Sequence, residues 1–266
     1  MSRGTEAEAG SEATEPERRW PGQSRARFAE LHRSGCFVIP NPWDVGSARL
    51  LEGLGFQALA TTSAGLAQSL GKRDQEVTLD ELTRHVDALV SAVAIPVHVD
   101  SEQCFADTPE GVAATVERLA SVGASGLSIE DYSPVAGAIE PIEVFLPRVQ
   151  AAAEAAHRHG MLLTARAEKA LHGAGDLADS IARLQRYRDA GADVVYAPGM
   201  SDLADIGALV DAVGVPVNVL LWGDAFTPEA AAAVGVRRLS TGSALAGAAF
   251  EAASLAASVL PSGPLG

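Results

Sequence analysis

The chain has 266 residues, 47% of them apolar, and carries a formal charge of −14. That length can bury the core of one large domain or two small ones, and the acidic balance argues against nucleic acid or an anionic membrane surface as a partner. Cys36 and Cys104 make no disulfide framework and no Cys/His zinc spacing, and there is neither a leading apolar segment nor an apolar run of roughly 18 residues, so a soluble cytoplasmic protein is the expectation.

Residues 1–22, MSRGTEAEAGSEATEPERRWPG, are rich in Glu, Ser, Gly and Pro without apolar periodicity, which predicts a disordered tail ahead of one folded domain over 23–260. The closing PSGPLG reads as frayed. From residue 35 the chain alternates. Short runs rich in β-branched residues are CFVIP (36–40), ALATT (58–62), IPVHVD (95–100) and GLSIED (126–131), then LLTARAE (162–168), VVYAP (194–198), VPVNVLL (215–221) and RRLSTG (237–242). Helical patterns such as DELTRHVDALVSAV and ADSIARLQRYRDAGA lie between most of them. The phrases GLGFQAL, SVGASGL, DAGADVV and AVGVRRL each place a glycine where a helix stops, since glycine accepts the left-handed turn there. Eight such units predict a closed (β/α)₈ barrel rather than an open doubly wound sheet, because no GxGxxG follows the first run.

In such a barrel the active site belongs at the C-terminal ends of the strands. The polar residues there are Asn41 and Asp44, then Thr61, Thr62 and Ser63, then Asp100 and Glu102. Next come Glu130 and Asp131, Arg166 and Glu168, Asn218 and Trp222, and finally Ser240, Thr241 and Ser243. Asp100 and Glu102, two residues apart, would share one face of a strand. Adjacent carboxylates repel unless they share a proton or a cation, and a hard cation such as Mg²⁺ or Mn²⁺ suits them, with Glu130 behind it on metal-bound water. Capping of the following helix and solvated loop carboxylates are the plain alternatives. Arg166, closing an apolar strand, needs an anion, either an internal carboxylate such as Glu168 or a substrate acid. The 61–63 turn offers hydroxyls and amides to an anion, or simply caps the next helix. His98 reads as a packed histidine, Cys36 as a core residue and His172 as part of a solvent-facing loop near the mouth. Phe105, Tyr132 and Trp222 would narrow a pocket if all three face it.

In combination and in order, the segments PNPWDVGSARLLEGLGFQALATTSAGLAQSLGKRD, PVHVDSEQCF, GLSIED and LTARAE resemble the isocitrate lyase/phosphoenolpyruvate mutase superfamily, over roughly residues 26–255. The resemblance implies a (β/α)₈ barrel whose last helix is exchanged between subunits of a homodimer or homotetramer. It also implies Mg²⁺ (or Mn²⁺) and a small anionic 2-oxo or 2-hydroxy carboxylate. Carried onto this chain, the family's D-x-[DE] falls on Asp100 and Glu102, with Asp74 of SLGKRD near the metal waters and Glu130 of I-E-D on one of them. The arginine of A-R-[TV]-[DE] is Arg166, near the substrate carboxylate or oxyanion, and the carboxylate-binding turn is Thr61, Thr62 and Ser63. Asn218 matches a pocket-lining asparagine.

The departures are informative. Cys104 and Ala106 stand where the family has glycines, so the loop is expected to take another path or build another pocket wall. YSPVAGAIEP follows I-E-D with no Lys and no Cys, which removes the thiol of isocitrate and methylisocitrate lyases. Ala167 replaces a hydroxyl-bearing residue. The reading favoured is a Mg²⁺-dependent carbon–carbon lyase, retro-aldol or decarboxylating, working through a stabilised enolate, with Tyr132 or bound water as the candidates to carry the proton. The rivals are a phosphoenolpyruvate or carboxyphosphonoenolpyruvate phosphonomutase, and a divergent binding or metal-independent member.

Overall fold

The computed structural model describes residues 21–262, with the exception of residues 174, 222 and 224. The predicted tail therefore lies outside the described residues, except that Pro21 and Gly22 open a helix, α1 (Pro21–Leu31), which the sequence reading did not assign. The chain continues through β1 (Phe37–Ile39), α2 (Val45–Gly53), β2 (Leu59–Ala60), α3 (Ser63–Ser69), α4 (Leu79–Ala92), β3 (Val97–Asp100) and α5 (Pro109–Ser121). Next come β4 (Gly126–Glu130), β5 (Tyr132–Ser133), β6 (Ala138–Ile139), α6 (Ile142–Arg158), β7 (Leu162–Arg166) and α7 (Leu177–Asp189). The last third is β8 (Val194–Tyr196), α8 (Leu203–Val213), β9 (Val217–Leu220), α9 (Pro228–Ala233), β10 (Arg238–Ser240) and α10 (Ala244–Ser258).

Eight of these strands form one parallel sheet in the order β1-β10-β9-β8-β7-β4-β3-β2. The Ala60 amide donates to the Pro40 carbonyl at 3.1 Å and the Asn41 Nδ2 to the Thr61 carbonyl at 2.8 Å, which joins β2 to β1 and closes the barrel. The expected (β/α)₈ architecture is therefore present, and each of its eight strands falls inside one of the apolar runs. Two of the helix stops are enforced sterically. Gly123 and Gly235 have φ of 94° and 89°, and a Cβ there would stand 2.8 Å from Val90 Cγ1 and 2.9 Å from Val210 Cγ1. Only glycine satisfies both the backbone and the space. Helix starts are set by side chains: Thr78 and Glu81 form a capping box on α4, and Thr108 and Thr227 cap α5 and α9 just ahead of a proline.

Two additions matter for the site. Helix α1 closes the N-terminal end of the barrel: Phe28 is fully buried, 5.6 Å from the His98 ring, and His32 packs edge-on to Phe28 at 4.7 Å. After β4, the strands β5 and β6 pair as a small antiparallel hairpin outside the barrel sheet, held by the Glu140 amide on the Asp131 carbonyl at 2.8 Å. At the other end of the chain, α10 buries Ala246, half-buries Leu245 and leaves Gly247 to Ser258 exposed. Among the described residues no helix is long and apolar enough to cross a membrane.

Candidate active site at the strand ends

The C-terminal ends of the strands surround a cavity of ≈ 170 Å³, a volume suited to a small acid and a few waters. Arg166, the last residue of β7, dominates its electrostatics. Its Nη1 is 2.8 Å from Asp100 Oδ1, its Nη2 3.2 Å from Glu130 Oε2 and its Nε 2.8 Å from Glu168 Oε1. The guanidinium thus sits among three carboxylates from three adjacent segments of the barrel rim. Burial works against its charge, yet Glu168, Glu130 and Asp100 together hold it protonated far above its ordinary range. Its Cζ also lies 5.4 Å from the centroid of the Tyr196 ring. The internal-carboxylate partner considered from the sequence is real: Glu168, joined by Asp100 and Glu130. That carboxylate is itself braced, because Asp131 accepts the Glu168 amide at 2.8 Å and the Tyr187 hydroxyl at 2.6 Å.

Asp100 is fixed from the opposite side. Its Oδ2 accepts the Ser63 amide at 3.1 Å, its Oδ1 the Ser128 hydroxyl at 3.3 Å, and its own amide donates to Thr61 Oγ1 at 2.8 Å. The 61–63 turn lines the cavity as expected. In this state, however, its groups hold Asp100 or, for Thr62, cap α3 through the Gly65 amide at 3.2 Å. Glu130 is buried and receives Gln75 Nε2 at 3.1 Å, and burial raises its pKa well above the carboxylate range. Asp74 is exposed as a residue but lines the cavity, where partial burial and the Asp100 charge push its pKa up. Asn218 lines the cavity from β9.

Three expectations need correction. Glu102 does not share a strand face with Asp100, because β3 ends at Asp100 and Glu102 turns into the left-handed region at φ 50°. Period-two alternation stops where the strand stops. The Glu102 side chain is buried and is not among the residues lining the cavity, its Oε1 has no hydrogen-bond partner among the described residues, and burial followed by Asp100 and Asp74 pushes its pKa up to about 8. Tyr132 belongs to β5 and is not among the residues lining the cavity; its ring stacks on His172 at 4.2 Å and 8°. The loop after Asp100 does not abandon a glycine-like path: Cys104 and Phe105 adopt φ of 63° and 54°, and Cys104 fills the glycine position while fully buried. Burial pushes its thiol up to about 12, so it is no nucleophile. His98 is the packed, neutral histidine expected, and Trp222 lies outside the described residues.

Sequence reasoning missed residues one layer below the rim. Ser128 and Thr164 line the cavity, as does Arg238 at the start of β10, and Tyr196 at the end of β8 escaped notice too; Ser240, expected from the sequence, lines it with them. Each strand's inward face repeats every second residue. Stepping back two positions from Glu130, Arg166 and Ser240 would have found Ser128, Thr164 and Arg238.

Residues 28–260 match the family described as phosphoenolpyruvate phosphomutase. The chain belongs to that family. It is 33% identical over 242 residues to an uncharacterized protein of Mycobacterium tuberculosis, covering 89% of each chain. It is 31% identical to the oxaloacetate decarboxylase of Paraburkholderia xenovorans, covering 74% of this chain and 68% of that one. Among solved structures, a candidate lyase/mutase from Burkholderia cenocepacia J2315 is 46% identical, with a TM-score of 0.86 over 90% of this chain and 87% of that one. The chain is thus an enzyme-family member within a superfamily of lyases and phosphonomutases.

Proposed function

We propose that this cavity is the active site of a divalent-metal-dependent lyase that breaks a carbon–carbon bond, by retro-aldol cleavage or decarboxylation, in a small 2-oxo or 2-hydroxy carboxylate. The observation that carries the reading is the convergence of Asp100, Glu130 and Arg166 at the mouth of a barrel of this family. The donor set fits a hard cation. Asp74 and Asp100 line one cavity, and the buried Glu102 close to both has an Oε1 without a partner among the described residues. Among the described residues no three His, Cys, Asp or Glu side chains enclose a metal unaided. Water and substrate oxygens would complete the shell of a bound Mg²⁺. When bound, Mg²⁺ or Mn²⁺ supplies Lewis acidity toward the carboxylate and carbonyl oxygens of the substrate.

The chain's own residues do the rest. Asp100, oriented by Ser63 and Ser128, presents the negative charge that holds the cation. Arg166 places positive charge where an enolate oxygen develops, and Glu168 keeps the guanidinium from swinging away. Asn218 and the Thr61–Ser63 turn position the acid. The cysteine-dependent lyase chemistry has no support, because the segment after Glu130 carries no Cys and Cys104 is buried with its thiol protonated. Incubation with Mg²⁺ and a panel including oxaloacetate and phosphonopyruvate, followed by pyruvate release and ³¹P spectra, tests the reading. Pyruvate release from oxaloacetate supports the lyase, a shifted phosphorus resonance favours the mutase, and neither outcome leaves a binding protein.

The partner reading is a second copy of this chain. Helix α10 and the two residues after it expose Phe250, Leu255, Val259 and Leu260, the last three at 66%, 81% and 66%. Such an apolar helix is a natural element for pairing between subunits. Light scattering of the intact chain tests this: a dimer or tetramer is expected, and a monomer at micromolar concentration would refute it.

A further inference from the structure

Arg238 is 3% exposed and lies inside the barrel, where an unpaired charge is costly. Its partners are all neutral. Nε donates to Asn218 Oδ1 at 2.8 Å, Nη2 to Thr164 Oγ1 at 2.9 Å, and Nη1 lies 3.3 Å from His32 Nε2. His32 Nδ1 is 2.8 Å from the Phe28 carbonyl, which can only accept, so the proton of the neutral ring is on Nδ1 and Nε2 is free to accept from Arg238. Burial, aided by the Arg238 charge, lowers the His32 pKa to about 3, which keeps the ring in that form. Among the described residues no carboxylate stands within ion-pair distance of Arg238. Of the five N–H groups of the guanidinium, three are used by these contacts.

Arg166 stands in contrast. Both arginines line the same cavity, but Arg166 is engaged by three carboxylates. An acid descending between the strands therefore meets Arg238 as a cation with unused donors and no acidic neighbour among the described residues. Thr164 lies two positions before Arg166 on β7 and bonds Arg238, so the second guanidinium is one layer deeper than the first. We infer that Arg238 is the specificity-determining anchor for a second oxyanion group on the substrate, a carboxylate or phosphonate at the end remote from the 2-oxo acid. This rests on the proposed 2-oxo acid reading and adds the residue that reads the charge at the remote end. Residues Asn218, Thr164 and His32 then serve to aim Arg238 without neutralising it.

Calorimetric titration in Mg²⁺ tests this with shape-matched pairs: 2-oxoglutarate against 5-methyl-2-oxohexanoate, and phosphonopyruvate against 4,4-dimethyl-2-oxopentanoate. The wild type is expected to prefer at least one acid-tipped ligand by about tenfold or more, and the preferred pair distinguishes carboxylate from phosphonate. In Arg238→Met that preference falls below about threefold while the hydrocarbon-tipped affinities hold, and Arg238→Lys restores part of it. Should Arg238→Met fail to fold, Asn218→Asp places a carboxylate beside the intact guanidinium and is expected to remove the same preference. An undiminished preference in either folded variant, or none in the wild type, overturns the inference. Loss of the preference with no turnover of any acid supports the anchor and defeats the lyase reading; turnover with an unchanged preference does the reverse.

Discussion

Replacing Arg166 by Met removes the cation from a cluster in which Asp100, Glu130 and Glu168 stand 2.8, 3.2 and 2.8 Å from it, with side chains 17%, 6% and 3% exposed. At an effective dielectric of about 20, each such contact represents about 4 kcal/mol of attraction, most of it offset by desolvation. Breaking a buried pair leaves uncompensated charge and typically costs about 3–5 kcal/mol, and here the charge left behind is three carboxylates. The variant is therefore expected to lose about 3–5 kcal/mol at pH 8. The sign of the pH effect follows from burial: Glu130 and Glu168 are already biased toward protonation, and without the guanidinium they take up protons more readily still. Acid relieves the repulsion, so the loss shrinks to about 1–2 kcal/mol at pH 5. Urea unfolding followed by circular dichroism at the two pH values measures this. A loss below about 1 kcal/mol at pH 8, or an equal loss at both, refutes the cluster as described.

Three further outcomes follow from separate features. Asp100→Asn weakens Mn²⁺ binding, read by electron paramagnetic resonance, and lowers turnover by about 10²–10³-fold; unaltered Mn²⁺ binding would remove Asp100 from the metal site. Gly126→Ala places a Cβ 2.8 Å from the Leu162 carbonyl oxygen and 2.9 Å from both His98 Nδ1 and Phe28 Cε1, so it costs about 1–3 kcal/mol by overpacking, checked by calorimetry. Burial holds His85 neutral down to about pH 4, whereas the same residue in the unfolded chain protonates near 6.5, so the unfolded state binds more protons between those values and stability falls as pH falls through them. His85→Gln is expected to flatten that slope by about 1.4 kcal/mol per pH unit, and an unchanged slope in urea titrations contradicts it.

The barrel was legible because both of its signals are local. Eight runs of β-branched residues mark the strands, and glycines such as Gly123 and Gly235 mark helix ends where no other residue fits. Asp100, Glu130 and Arg166 were legible because they close those runs. What escaped depended on depth or on backbone conformation. Arg238 and Thr164 lie below the rim, and their significance arises only when strands far apart in sequence bring a charge beside neutral partners. Glu102 was misplaced because strand alternation was extended past Asp100, where the chain turns left-handed without a glycine to announce it. The hairpin of β5 and β6 has strands of two residues each, too short for any periodicity. Helix α1 carries its weight in Phe28 and His32, whose role as the barrel floor comes entirely from tertiary packing.

In the proposed function, the groups around Asp100 and Arg166 stabilise an enolate of a 2-oxo acid. Proton NMR of pyruvate and 2-oxobutyrate in D₂O, with enzyme and Mg²⁺, reads that event whichever bond the enzyme breaks. Protonation of an enolate from solvent replaces the hydrogens next to the carbonyl, so those signals should fade far faster than with Asp100→Asn or with chelator. Signals that persist at the uncatalysed rate for every 2-oxo acid tried would contradict it.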